Sequence, residues 1–185
     1  MIRVWLIRHC HPDIPDGVRM CLGRTDLPLS QTGRKEAAAL GERFRDIPLT
    51  HVFCSHLSRS IQTAQALTPA PIVLPGLEEQ NMGQWDGLTF SEIRLRYPEL
   101  YAARGQNPNL LPPDSEAGID ALTRFQTAML QAASIAEGDF AIVSHGGVIS
   151  LFLEHLTGTR YKPSYGEVIP LHFHSGKFTA VQPTS

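Results

Sequence analysis

Short apolar runs alternate with stretches of helical period along most of this chain, and that alternation most restricts what it can fold into. Ile2–Ile7 is apolar, β-branched and aromatic, and then turns polar at once, as a buried strand does. A loop follows, marked by Pro12, Pro15, Gly17, Gly23 and Pro28. Ser30 is placed to cap a helix to about Phe44, with Ala37, Leu40, Gly41 and Phe44 on one apolar stripe. His51–Cys54 reads as a second strand, Ser58 as the cap of a helix to about Leu67, and Ile72–Leu74 as a third, short strand. A longer helix over roughly Gly118–Ala136, a buried strand over Phe140–Val143 and a helix over Gly147–Leu156 continue the pattern. Val168–Phe173 and Lys177–Val181 read as a hairpin about Ser175-Gly176. The expected class is α/β: a three-layer α/β/α sandwich with a mostly parallel sheet and an antiparallel ending. A length of 185 residues suits one domain over 1–185. Residues 80–118 interrupt the rhythm with glycines, prolines and asparagines, plus helical fragments near Phe90–Tyr97 and Glu99–Ala103. Such an excursion off the sheet is a place for substrate-selecting residues.

A net charge of -2 leaves no broad basic field for a nucleic acid or a membrane surface. Three cysteines, Cys10, Cys21 and Cys54, form no C-x-x-C pair and leave one unpaired, which points to a reducing cytosol. The opening apolar run is too short for a signal segment, and no stretch is long enough to span a bilayer. A cytoplasmic location is expected.

In α/β folds, ligands bind beyond the carboxyl ends of the strands. Arg8-His9 follows the first strand. Ser144-His145-Gly146-Gly147 follows the strand over Phe140–Val143 and opens a helix. Ser55-His56-Leu57-Ser58-Arg59 follows the second strand, with Arg59 in the first turn of a helix. Two imidazoles, two guanidiniums and helix N-termini on one sheet edge suit a tetrahedral dianion. Each piece alone also has a plain reading: a loop end, a tight turn, a surface charge. His172-x-His174 puts two imidazoles on one strand face, but no third ligand at a diagnostic spacing accompanies it, so cross-strand packing is the expectation and no metal is assigned. Cys54 is expected in the core, and Trp85 is expected to pack a turn near the site.

Five blocks in this order resemble the histidine phosphatase superfamily, in the branch that includes the cofactor-dependent phosphoglycerate mutases. They are Leu6-Ile7-Arg8-His9; Gly23-Arg24-Thr25-Asp26-Leu27-Pro28-Leu29-Ser30 with Gly33; Cys54 through Ala64; Leu77-Glu78-Glu79 with Gly83-Gln84-Trp85-Asp86-Gly87; and Ser144-His145-Gly146-Gly147. The chain departs from the family pattern at Cys10, where glycine is usual, and at His11 and Pro12, which replace an acidic and hydroxyl pair.

The resemblance implies a phosphoglycerate mutase-like fold and a two-step reaction through a phosphohistidine on His9. Arg8, Arg59 and His145 would bind the nonbridging oxygens, with Gly146 and Arg24 as further substrate contacts. Glu79 would protonate the leaving group and later activate water. Glu78 is its adjacent competitor, since on an extended segment the two face opposite sides. His11, Cys10 and Arg24 are expected at the pocket mouth or as ordinary loop residues. No metal or other cofactor is implied, and the partner is a small phosphate ester such as α-ribazole 5′-phosphate or a sugar phosphate. A phosphoglycerate mutase and a catalytically silent phospholigand-binding module are the competing readings.

Overall fold

The computed structural model describes residues 1–107 and 110–181. Its strands are β1 (Ile2–Arg8), β2 (His51–Cys54), β3 (Ile72–Val73), β4 (Phe140–Ser144), β5 (Val168–His174) and β6 (Lys177–Ala180). They form one sheet in the order β3-β2-β4-β1-β5-β6. The first four strands in that order run parallel, and β5 and β6 add an antiparallel edge.

The two faces follow from the two-residue period of a strand. Val4, Leu6, Phe53, Phe140 and Ile142 point to one face, where they pack with Phe125, Met129, Val148 and Phe152. Those partners belong to α5 (Gly118–Ile135) and α6 (Gly146–Thr157). Ile7, Val52, Cys54, Ala141 and Val143 point to the other face and meet Leu40, Phe44 and Ala64. Those lie on α1 (Gln31–Phe44) and α2 (Ser58–Gln65). Every residue of β4 is buried, which is why its sequence is a continuous apolar run and not an alternation. The result is the three-layer α/β/α sandwich.

Local signals set several boundaries. The Ser30 hydroxyl accepts from Gly33 N at 3.0 Å and caps α1. Ser175 and Gly176 both take positive φ, and His174 pairs with Lys177 around them, as a two-residue hairpin turn requires. Ser58 does not cap α2. The cap position is Leu57, and the Asp26 carboxylate covers that helix end instead, accepting from Ser58 N and Ser58 Oγ at 2.7 Å each. A carboxylate brought from 32 positions away thus does the work the sequence assigned to a local hydroxyl.

The excursion after β3 carries a 3₁₀ turn (Gly83–Trp85), α3 (Phe90–Arg96) and α4 (Pro98–Gln106). It has its own small core of Cys21, Trp85 and Ile93, flanked by Met82, Tyr97 and Tyr101. Thr89 and Glu92 close a capping box at the start of α3. Among the described residues, no helix is long and apolar enough to cross a membrane.

Candidate active site

β1 and β4 pair in parallel with Arg8 opposite Ser144, so His9 and His145 leave the sheet side by side. Their ring centroids are 5.0 Å apart, and both side chains are buried. His9 Nδ1 lies 2.7 Å from the carbonyl oxygen of Cys10. A carbonyl accepts and never donates, so Nδ1 carries the proton and Nε2 keeps its lone pair. His145 Nε2 lies 2.6 Å from Ser55 Oγ, which itself accepts from Leu57 N at 3.3 Å. His145 Nδ1 is buried and has no partner among the described residues.

Two guanidiniums surround these rings, and neither makes a salt bridge to a carboxylate among the described residues. Arg59 is fully buried and donates through Nη1 to Thr25 O at 2.8 Å and through Nη2 to Gly23 O at 2.7 Å. Arg8 donates through Nη1 to Pro163 O at 2.8 Å, and its guanidinium stacks 3.7 Å from the centre of the Tyr165 ring. The Nε atoms of both are buried without a partner among the described residues. Together with His145 Nδ1, they are three unpartnered buried nitrogens at one corner, of the kind that meets anion oxygens.

Burial and the neighbouring Arg59 charge hold His9 well below the usual imidazole pKa. Burial, then the His9 and Arg59 charges, do the same to His145. Both rings are therefore neutral near pH 7. Burial also lowers the pKa of Arg59 and of Arg8, but a guanidinium starts so far above neutral pH that it stays charged.

Glu79 meets the same corner from the far side. Its Oε2 accepts from Gly147 N at 2.8 Å, and its Oε1 accepts from Val148 N at 3.0 Å and Gln80 N at 2.9 Å. The carboxylate thus sits on the N-terminus of α6. The glycine pair makes room for this: a Cβ on Gly147 would lie 2.5 Å from Glu79 Oε1, and one on Gly146 would lie 2.9 Å from Arg8 Nε. Glu78 turns the other way. Its Oε2 accepts from Gly76 N at 2.8 Å, and Oε1 lies 3.5 Å from Arg24 Nη2 and 3.6 Å from Arg124 Nη1.

Arg24 belongs to that second network. Its Nε reaches Glu79 O at 3.4 Å, and Nη2 lies 3.6 Å from Glu116. The structure therefore puts it against the Glu79 backbone, paired with carboxylates. Cys10 points into a small cluster with Leu29 and Ala37, and burial pushes its thiol up to about 11. His11 lies at the rim, with Nδ1 2.6 Å from Glu36 Oε1 and its ring 4.3 Å from Tyr165.

Several residues of this corner went unread in the sequence. Tyr165 sits among Arg8, His9 and His11, from a stretch with no periodic or motif signal. Arg124 donates to Gly76 O, Glu78 O and Glu79 O, and forks onto Glu116 at 2.6 and 2.9 Å. Asp86 lies inside the block Gly83-Gln84-Trp85-Asp86-Gly87. Its carboxylate accepts from three consecutive backbone N–H groups, those of Gly23, Arg24 and Thr25.

Comparison with known proteins places this geometry. A relative called "Probable phosphoglycerate mutase GpmB", from Enterobacter sp. (strain 638), is 30% identical over 177 residues, covering 90% of this chain and 79% of the relative. The solved structure of Bacillus stearothermophilus YhfR superposes with a TM-score of 0.86 at 28% identity, covering 98% of this chain and 96% of that one. The α-ribazole phosphatase from Shigella flexneri shares the fold with a TM-score of 0.85 at 23% identity, over 97% and 95% of the two chains. Residues 4–182 match the family described as "Histidine phosphatase superfamily (branch 1)". With that match running from within β1 to beyond the end of β6, the chain belongs to the histidine phosphatase superfamily.

Proposed function

We propose that this chain, acting as one domain, is a phosphomonoesterase that hydrolyses small-molecule phosphate esters through a phosphohistidine on His9. One observation carries the reading: His9 is locked by Cys10 O as the Nδ1–H tautomer, leaving Nε2 as a buried nucleophile beside the unpartnered Nε–H groups of Arg8 and Arg59. In the first step, Nε2 attacks phosphorus in line, the P–N bond forms, and the P–O bond to the leaving alcohol breaks. Arg8, Arg59 and His145 hold the nonbridging oxygens and offset the charge of the transition state. The leaving oxygen takes a proton from the Glu79 side. Water then attacks phosphorus, giving up a proton to the same side; the P–N bond breaks, its electron pair returns to His9 Nε2, and inorganic phosphate leaves. The two guanidiniums supply the positive charge that a metal ion supplies elsewhere, so no metal or other cofactor enters a step. In this reading the partner is the ester itself, and α-ribazole 5′-phosphate and sugar phosphates are the first substrates to try.

Phosphoglycerate mutase chemistry is the competitor, suggested by the names of relatives about 30% identical. A panel of monoesters, together with 3-phosphoglycerate plus a bisphosphoglycerate primer, separates the two. We expect free phosphate from monoesters, little isomerisation, and a trapped phosphoenzyme that is acid-labile, base-stable and missing in His9→Ala. Efficient isomerisation with negligible phosphate release would assign a mutase. Binding of phosphate without any adduct or turnover would assign a phospholigand-binding module.

A further inference from the structure

The arginines near this corner are held in two ways. Arg24 and Arg124 face carboxylates directly, through Glu78 and Glu116. Arg8 and Arg59 are instead held by backbone carbonyls. A carboxylate against a guanidinium quenches the charge that a phosphoryl group needs, whereas a carbonyl orients it and leaves it free. Carbonyls need an anchor of their own, because a loop that can drift carries its carbonyls with it.

For Arg59 that anchor is visible. Asp86 Oδ1 accepts from Gly23 N at 3.0 Å and Thr25 N at 3.2 Å, and Oδ2 accepts from Arg24 N at 2.6 Å. The carbonyls of the first and last residues of this triplet, Gly23 and Thr25, are the two that receive Arg59. One carboxylate thus fixes the N–H side of a three-residue loop whose C=O side fixes the guanidinium. The fit leaves no slack. A Cβ on Gly23 would lie 2.8 Å from Asp86 Oδ2, and Gly87, next to Asp86, holds φ at +78 against the Thr25 side chain. Held by both Nη atoms, Arg59 leaves its buried Nε without a partner among the described residues.

We propose that Asp86 is a positioning residue for phosphoryl binding, acting through the 23–25 loop on Arg59 without a contact salt bridge to the guanidinium. It rests on the reading of Arg59 as a phosphate ligand. Asp86→Asn keeps the size of the side chain and an acceptor oxygen. It replaces the other oxygen with a donor, which must face at least one backbone N–H.

The test measures competitive inhibition by inorganic phosphate, kcat/KM with an aryl phosphate, and thermal stability, in the intact chain. The proteins are wild type, Asp86→Asn, Asp86→Glu, Arg59→Met and the double variant Arg59→Met/Asp86→Asn. Misplacing a group by about 1 Å costs on the order of 10²-fold in rate, so we expect kcat/KM to fall on that order in Asp86→Asn, with weaker phosphate inhibition. Asp86→Glu keeps the charge but moves the carboxylate by one methylene, and should show a loss of the same kind. The decisive arm is the double variant. If Asp86 acts through Arg59, the Asn change has little further effect on phosphate inhibition once Arg59 is gone. An undiminished further loss in the Arg59→Met background, or unchanged phosphate inhibition in both folded Asp86 variants, overturns the proposal. A wild-type chain that neither binds phosphate nor releases it from esters would instead overturn the functional reading beneath it.

Discussion

Glu79 keeps both carboxylate oxygens occupied by backbone N–H groups. Reaching a leaving group therefore means giving up at least one of those three bonds as substrate enters. Replacing Glu79 therefore has two effects: loss of an acid, and a defect at the start of α6. Leaving-group dependence tells them apart. A structural defect falls equally on all esters, whereas loss of the acid falls on alcohols that leave poorly. General acid catalysis is worth about 10²–10⁴-fold, so Glu79→Gln should slow phosphorylation by alkyl phosphates on that order and by an aryl phosphate much less. Single-turnover measurement is required, because the same carboxylate assists the attack of water. Glu78→Gln is the internal control and should be mild, since Glu78 faces Arg24 and Arg124. If Glu78→Gln alone shows the leaving-group effect, the two glutamates have exchanged roles. If neither does, the proton comes from another group at the rim, and His11, anchored on Glu36, becomes the residue to vary.

At the scale of elements, the site depends on a few close approaches between loops and helix ends. The start of α1 sits directly against the loop after β1: a Cβ on Gly33 would lie 2.0 Å from His11 O, with His11 C and N at about the contact limit. These are backbone atoms and cannot rotate away. Gly33→Ala should cost about 1–3 kcal/mol, the range for overpacking, which lowers the midpoint of thermal unfolding by about 2–12 °C in a chain of this size. Gly105→Ala is the matched control, because a Cβ there meets nothing within 4 Å and the residue lies in α4. It should be neutral or slightly stabilising, and an equal drop in both variants would defeat the argument. The same distinction explains what the sequence could reveal. Periodicity is local, so β1, β2, β4 and α1 were legible, and so were His9 and His145, which sit where apolar runs end. The Thr89-x-x-Glu92 box was equally local, though the strand-helix alternation did not call on it. Asp86 was not legible as a loop anchor because its acceptor bonds span 61 to 63 positions. Nor was Asp26 as the cap of α2. Tyr165 depends on the approach of the 163–167 segment to the end of β1, where Gly166 N meets Arg8 O and His9 O. Nothing in its neighbours' periodicity announces that.

Taken as a whole, the molecule buries a cluster of cationic and titratable groups where the carboxyl ends of β1, β2 and β4 meet, and that has a cost in acid. His9 and His145 are both held neutral in the folded chain, mainly by burial. In the unfolded chain each titrates near 6.5. As pH falls below about 6.5 the unfolded state takes up protons that the folded state refuses, so stability drops and goes on dropping until the depressed folded-state pKa is reached. Within that window each group contributes a slope of up to about 1.4 kcal/mol per pH unit. Protonating either ring in place adds a third positive charge beside Arg8 and Arg59, so the fold does not escape the loss cheaply. Thermal unfolding between pH 8 and 5 should therefore show a midpoint that is level above about pH 7 and falls steadily below 6.5. His145→Gln should remove part of that fall, by removing one titrating group. Inorganic phosphate should flatten it further, because a bound anion both favours the folded state and stabilises the protonated rings. A midpoint that stays level from pH 6.5 to 5, or that falls equally with and without saturating phosphate, would mean that the buried histidines do not set the acid limit of this fold.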